Sequence, residues 1–93
     1  MKVETFDNVW DALTDTPAEA ANMTARSDLM IALTRRVRAW NLPQEAAAAR
    51  LGITRPRLSD LLRGKIDKFS LDALVNLISA AGLHIEMRIA EAA

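Results

Sequence analysis

The chain has 93 residues, of which 51% are hydrophobic and 4% aromatic, and its formal net charge is zero. This length suits one small domain, and the predominance of leucine and alanine favours helices over sheets. Because the chain has no cysteine and one histidine, we expect no disulfide, no metal site and no cofactor. Residues 1–93 are therefore predicted to form a single, mostly α-helical domain.

The chain shows no targeting or membrane pattern. Its first residues lack the basic and then apolar order of a signal peptide, and no apolar run approaches the ~18 residues of a membrane span. It also contains no nucleophile and base at catalytic spacing and no phosphate-binding glycine loop. We therefore expect a soluble cytoplasmic protein that is not an enzyme.

The charges are distributed unevenly along the chain. Residues 1–31 carry two basic and six acidic side chains, residues 32–68 carry nine and three, and residues 69–93 carry one and three. The net charges are therefore −4, +6 and −2. Because phosphate attraction depends on the local field rather than on the total charge, the middle segment is predicted to bind nucleic acid.

The spacing of apolar residues predicts three helices before the basic segment. Residues 6–13 have the pattern of a short first helix. Thr16 is placed to cap a second helix that runs to about Met23, and Ser27 to cap a third that runs to about Asn41. The predicted inward positions of the first and third helices are Phe6, Val9, Trp10, Leu13, Leu29, Leu33, Val37 and Trp40.

Residues 42–64 have the pattern of a helix-turn-helix motif. Pro43 suits the start of the first motif helix, and Ala48 is small enough for a second helix to cross close to it. Gly52 suits the left-handed turn, and Thr54 can cap the second helix. That helix is predicted to be anchored to the core by an i, i+3, i+4 stripe of Leu58, Leu61 and Leu62.

Polar side chains facing away from this stripe are the candidate DNA contacts. Arg55 can bind O6 and N7 of guanine or a phosphate, and Pro56 can pack on a thymine methyl group. Asp60 can accept from cytosine N4 or pair with Arg57 or Arg63. The cations after the second helix either contact phosphates or are simply solvated. The DNA-binding residues predicted from this pattern are Thr54, Arg55, Pro56, Arg57, Ser59, Asp60, Arg63, Lys65 and Lys68, and the resemblance given below adds Gln44.

The last part of the chain combines a helix and a strand pattern. Ser70 is placed to cap a last helix that Gly82 ends, with inward positions at Leu74, Leu77, Ile78 and Ala81. The period then changes to the alternation of a strand over residues 83–89. This strand pairs either with Met1–Thr5 or with its own copy across a two-fold axis. We favour the second, because a dimer reads a palindrome. The predicted dimer-interface residues are Leu83, Ile85, Met87 and Ile89.

The motif resembles the lambda-repressor and Cro (XRE) class of helix-turn-helix regulators. A looser resemblance, carried by residues 26–29, 64–70 and 81–83, is to HigA-type antitoxins. The motif resemblance implies a five-helix lambda-repressor-like domain that binds DNA. With the predicted C-terminal β-strand and homodimer, we expect this domain to bind a palindromic operator. The residues that carry the motif resemblance are Gln44, Glu45, Ala48, Gly52, Leu58, Leu61 and Gly64.

The resemblance also implies a protein partner, a RelE/HigB-like RNase toxin that the antitoxin neutralises while repressing its own operon. Such toxins are generally basic, so the acidic start of the chain is a complement in charge. The candidate toxin-binding residues there are Phe6, Trp10 and Asp11. The alternative is a stand-alone XRE-family repressor, phage-like or metabolic, without a toxin partner.

Overall fold

The computed structural model describes residues 16–92, which form four α-helices and one 3-10 turn. The mostly helical prediction is confirmed, but the five-helix count is not met in this range, and the helix predicted over residues 6–13 lies outside it. None of the four described helices is both long and apolar enough to cross a membrane. The elements are α1 (Pro17–Trp40), α2 (Gln44–Leu51), α3 (Arg55–Leu62), the 3-10 turn Ile66–Lys68 and α4 (Leu71–Ala80).

The first described helix, α1, is continuous where the sequence predicts two helices. Thr16 caps it as predicted, since its hydroxyl accepts a hydrogen bond from the N–H of Glu19 at 3.0 Å. The predicted break before Ser27 is wrong. The hydroxyl of Thr24 donates to the carbonyl of Ala20, one turn earlier, at 2.9 Å, so this polar side chain is satisfied inside the helix. A break would leave backbone groups unpaired, at about 1–3 kcal/mol for each buried one.

Two arginines on α1 hold the main chain of later elements. Arg26 donates through Nη1 to the carbonyls of Ile66 and Phe69, at 3.3 and 3.1 Å. Arg36 donates through Nε to the carbonyl of Ala81 at 3.0 Å. The continuous helix α1 therefore positions both the turn that follows α3 and the end of α4.

The core lies where the four helices meet, and α2 contributes Ala47, Ala48 and Leu51 to it. Val37 is buried as predicted, and so are the inward positions of α4. Two predicted core positions, Leu29 and Trp40, are half-buried against this core. Each large apolar side chain buried here contributes about 1.5–3 kcal/mol to stability. The largest fully buried side chains are Phe69, Leu33, Leu58, Leu61 and Leu74.

Residues 83–89 do not form a strand in the described part of the chain, so the strand prediction is wrong for the single chain. Gly82, with φ of 77°, ends α4, and the N–H of Leu83 closes the helix end by donating to the carbonyl of Ile78 at 3.1 Å. A strand requires a hydrogen-bonded neighbour, and four helices offer no open sheet edge. Three alternating side chains remain 38%, 77% and 83% exposed, namely Ile85, Met87 and Ile89.

Candidate nucleic-acid interface

The helices α2 and α3 form the helix-turn-helix. Gly52 ends α2 with φ of 73°, and a Cβ placed there would meet no atom within 4 Å. The left-handed backbone, rather than lack of space, therefore favours glycine. Ala48 is 2% exposed, and its carbonyl accepts from the N–H of Ile53 at 3.0 Å. Thr54 caps α3 by accepting from the N–H of Arg57 at 3.3 Å, so the predicted turn and cap are confirmed.

The second motif helix, α3, has one buried and one exposed face. Leu58 and Leu61 are fully buried in the core, as predicted. Thr54, Arg55 and Pro56 are exposed around its first turn. Proline loses nothing there, because the first N–H groups of a helix have no partner within the helix. This exposed turn has the size and polarity of a helix end that enters a DNA major groove.

Arg55 is free to reach a ligand. Its guanidinium makes no hydrogen bond or ion pair with another residue of the 16–92 range. Gln44, the first residue of α2, is also exposed and lines a cleft of about 310 Å³ together with Arg38 and Leu62. The contact of Arg55 with guanine or with phosphate stays a prediction.

Arg57 differs from the other predicted DNA contacts, because its guanidinium is already engaged. It lies 4.1 Å from the centre of the Phe69 ring and donates through Nη1 to the carbonyl of Lys68 at 2.8 Å. These contacts pack α3 against the segment that follows it. Arg57 could bind DNA only if its contacts with the Phe69 ring and the Lys68 carbonyl were broken. Its DNA contact stays a prediction.

Asp60 pairs with two lysines rather than with the predicted Arg57 or Arg63. Its carboxylate oxygens lie 3.9 Å from Nζ of Lys65 and 4.0 Å from Nζ of Lys68. Pairs this long and this exposed contribute about 0–1 kcal/mol, so a DNA phosphate could replace the carboxylate at little cost.

The remaining cations lie just after α3. Arg63 is the exposed C-cap of α3, and Gly64 follows with φ of 72°. The N–H of Lys65 then donates to the carbonyl of Asp60 at 3.0 Å. Ser59 is half-buried on α3. The structure thus places Arg63, Lys65 and the more distant Lys68 beside the C-terminal end of α3, and their phosphate contacts stay a prediction.

Sequence reasoning missed the role of Phe69. The side chain of Phe69 is fully buried and packs against the guanidinium of Arg57. The main-chain carbonyl of Phe69 accepts a hydrogen bond from Arg26. The available signal was a single aromatic residue between the polar Lys68 and Ser70. Without a helical or strand period around it, that signal does not distinguish a core position from a loop.

A helix-turn-helix with an exposed and basic second helix defines the class of DNA-binding regulators. Residues 12–90 match the family described as "Helix-turn-helix domain", and the chain therefore belongs to that helix-turn-helix domain family. No curated protein matches the chain.

Proposed function

We propose that this protein is a sequence-specific transcriptional repressor of the XRE type, without catalytic activity. The observation that carries the proposal is the uncommitted guanidinium of Arg55 at the exposed first turn of α3. Residues at this end of a recognition helix reach base edges in the major groove. The flanking cations Arg63, Lys65 and Lys68 would hold the phosphates on either side.

The proposed operator is a palindrome bound by a homodimer. The eight residues of α3 span about 12 Å and reach only a few base pairs. Two copies separated by about 34 Å would read two half-sites. The tail residues Ile85, Met87 and Ile89 support a dimer, because their exposed apolar side chains alternate as in a strand that still needs a partner. The other possible partner, Met1–Thr5, lies outside the described residues.

We further propose that the repressor is the antitoxin of a type II pair similar to HigBA. The support is the resemblance in sequence and the acidic character of residues 1–31. The candidate toxin-binding residues Phe6, Trp10 and Asp11 lie outside the described residues. A small, basic RelE-like protein encoded by the adjacent gene, or captured from the native host, would favour this proposal. A phage or metabolic gene neighbour would favour the stand-alone repressor.

A gel-shift titration against the promoter of its own gene tests DNA binding directly. For roughly 6–10 phosphate contacts per dimer, affinity should fall by about 10³–10⁵ between roughly 50 and 200 mM salt. A scrambled duplex of the same length and composition is the control for sequence specificity. A flat salt response, or equal affinity for both duplexes, would refute the proposal.

A further inference from the structure

The second motif helix, α3, contains a single acidic residue, Asp60. It lies one turn after the exposed Pro56. At about 100° per residue it is also about 200° around the helix from the fully buried Leu58. Asp60 is therefore on the side of α3 away from Leu58, the side that would enter the major groove under the proposed function.

Two lysines hold this carboxylate near the end of α3. Nζ of Lys65 lies 3.9 Å from Oδ1 of Asp60, and Nζ of Lys68 lies 4.0 Å from Oδ2. The side chain of Asp60 is 23% exposed, whereas those of Lys65 and Lys68 are 37% and 53% exposed. An approaching phosphate would therefore meet the two ammonium groups before it meets the carboxylate.

A phosphate bound by either lysine would come close to Asp60. Breaking such long pairs costs little, but the carboxylate stays on the helix. An ammonium binds a phosphate oxygen at about 2.7–2.9 Å. With the lysines as they lie here, the phosphate and carboxylate oxygens would be at most about 7 Å apart, which is less than the Debye length of about 8 Å at physiological salt. Salt would therefore leave much of their repulsion unscreened.

The ion pairs alone give no advantage to an acidic residue at this position. Pairs of this length and exposure contribute little to stability. Without the carboxylate, Lys65 and Lys68 would attract phosphates more strongly, because Asp60 lowers the local positive charge. Asp60 therefore weakens the attraction to every duplex. Only a hydrogen-bond donor on a base edge offsets this loss.

We propose that Asp60 is a specificity determinant that disfavours duplexes without a base amino group beside it. This inference rests on the proposed function, because it requires α3 to enter the major groove. A duplex that places N4 of a cytosine there gives the carboxylate a donor. A duplex without such a donor brings a phosphate close to an unpaired carboxylate and is disfavoured.

The variant Asp60→Asn tests the proposal, because the amide has nearly the same shape and no charge. We expect it to bind the scrambled duplex several-fold more tightly and to change the affinity for the promoter duplex much less. The ratio of the two dissociation constants in gel-shift titrations should therefore fall several-fold. A ratio equal to that of the unchanged chain would overturn the proposal.

Asp67 provides the matched control. It is exposed in the 3-10 turn and forms no ion pair within residues 16–92. Asp67→Asn removes the same charge outside α3, so it should change both affinities alike and leave their ratio unaltered. If Asp67→Asn lowered the ratio as much as Asp60→Asn, net charge rather than the position of Asp60 would be responsible, and the proposal would be wrong.

Salt separates lost repulsion from a new hydrogen bond made by the asparagine amide. Repulsion across about 7 Å weakens as the Debye length shortens. The gain of Asp60→Asn on the scrambled duplex should therefore shrink between roughly 50 and 200 mM salt. A gain that stayed constant over this range would assign it to the amide and overturn the proposal.

A selection from randomised duplexes locates the effect at a base position. We expect a cytosine preference at one position of each half-site in the unchanged chain, relaxed in Asp60→Asn. The same preference in both chains would contradict the role of Asp60. Equal binding of promoter and scrambled duplexes by the unchanged chain would instead refute the proposed function itself, so the two failures are distinguishable.

Discussion

Single arginine side chains divide into two groups according to what their guanidinium contacts. Arg26, Arg36 and Arg57 donate to main-chain carbonyls. Arg55 and Arg63 have no such partner within residues 16–92. Five donors on a planar group serve either purpose, so residue type alone does not separate structural from ligand-binding arginines. The position of each guanidinium in the fold makes the distinction.

We predict that Arg55→Ala and Lys65→Ala weaken DNA binding in different ways. Loss of a bidentate guanine contact costs about 1–3 kcal/mol and relaxes specificity at one base position. Loss of the Lys65 ammonium should weaken binding to all DNA sequences alike and reduce the salt slope of the affinity by about one. A selection from randomised duplexes, followed by titrations at several salt concentrations, measures both effects. An unchanged base preference for Arg55→Ala would assign Arg55 to a phosphate.

Arg57→Ala should destabilise the fold, unlike Arg55→Ala. It removes the hydrogen bond to Lys68 and the contact with the Phe69 ring, for a combined cost of about 1–2 kcal/mol. The free energy of unfolding of Arg57→Lys should lie between those of Arg57→Ala and the unchanged chain, because lysine keeps the charge and loses the planar stacking. Urea unfolding followed by circular dichroism gives the free energies. If Arg57→Ala unfolded like Arg55→Ala and yet lost DNA binding, Arg57 would be primarily a DNA contact.

At the level of whole elements, the apolar tail after α4, residues 83–89, has the most exposed apolar side chains. Met87 is 77% exposed, so replacing it should cost the monomer little stability. We therefore predict that Met87→Asp gives folded monomers that bind DNA weakly, each holding only one half-site. His84→Asp, which adds the same carboxylate at an exposed polar position of the alternation, should remain dimeric. Light scattering at micromolar concentration distinguishes the two states.

Removal of the tail provides an independent check of the same element. A chain ending at Gly82 keeps all four described helices and every fully buried side chain, and of the contacts described here it loses the Leu83 N–H that closes α4 and the half-buried Leu83 side chain. Such a chain should be monomeric if the residues after Gly82 hold the dimer together. If it stayed dimeric, the tail would not be the dimer contact, and pairing with Met1–Thr5 would become the better interpretation.

For the whole molecule, the net charge of zero conceals a basic middle segment, residues 32–68, with a charge of +6. Because phosphate attraction depends on this local field, we predict strongly salt-dependent DNA binding by a chain that is neutral as a whole. Titrations of the promoter duplex at several salt concentrations measure the slope. A slope near zero would show that the local field of this segment does not contribute.

Several features of this protein follow from local sequence. The φ of 73° at Gly52, the caps at Thr54 and Ser70, and the buried faces of α3 and α4 are predicted from residue type and spacing. These features depend on contacts within about one helical turn, where conformational preference and apolar periodicity decide the result. The helix-turn-helix and its exposed first turn were therefore predictable.

Other features were decided only by contacts between residues distant in the chain. Ser27 has the properties of a cap but lies inside α1, which continues past it. Phe69 has no periodic neighbours but fills the core and supports Arg57. Residues 83–89 alternate like a strand, yet the described chain supplies no edge with which they can pair. Local preferences are worth about 1 kcal/mol or less per residue, so burial and main-chain pairing across the fold override them.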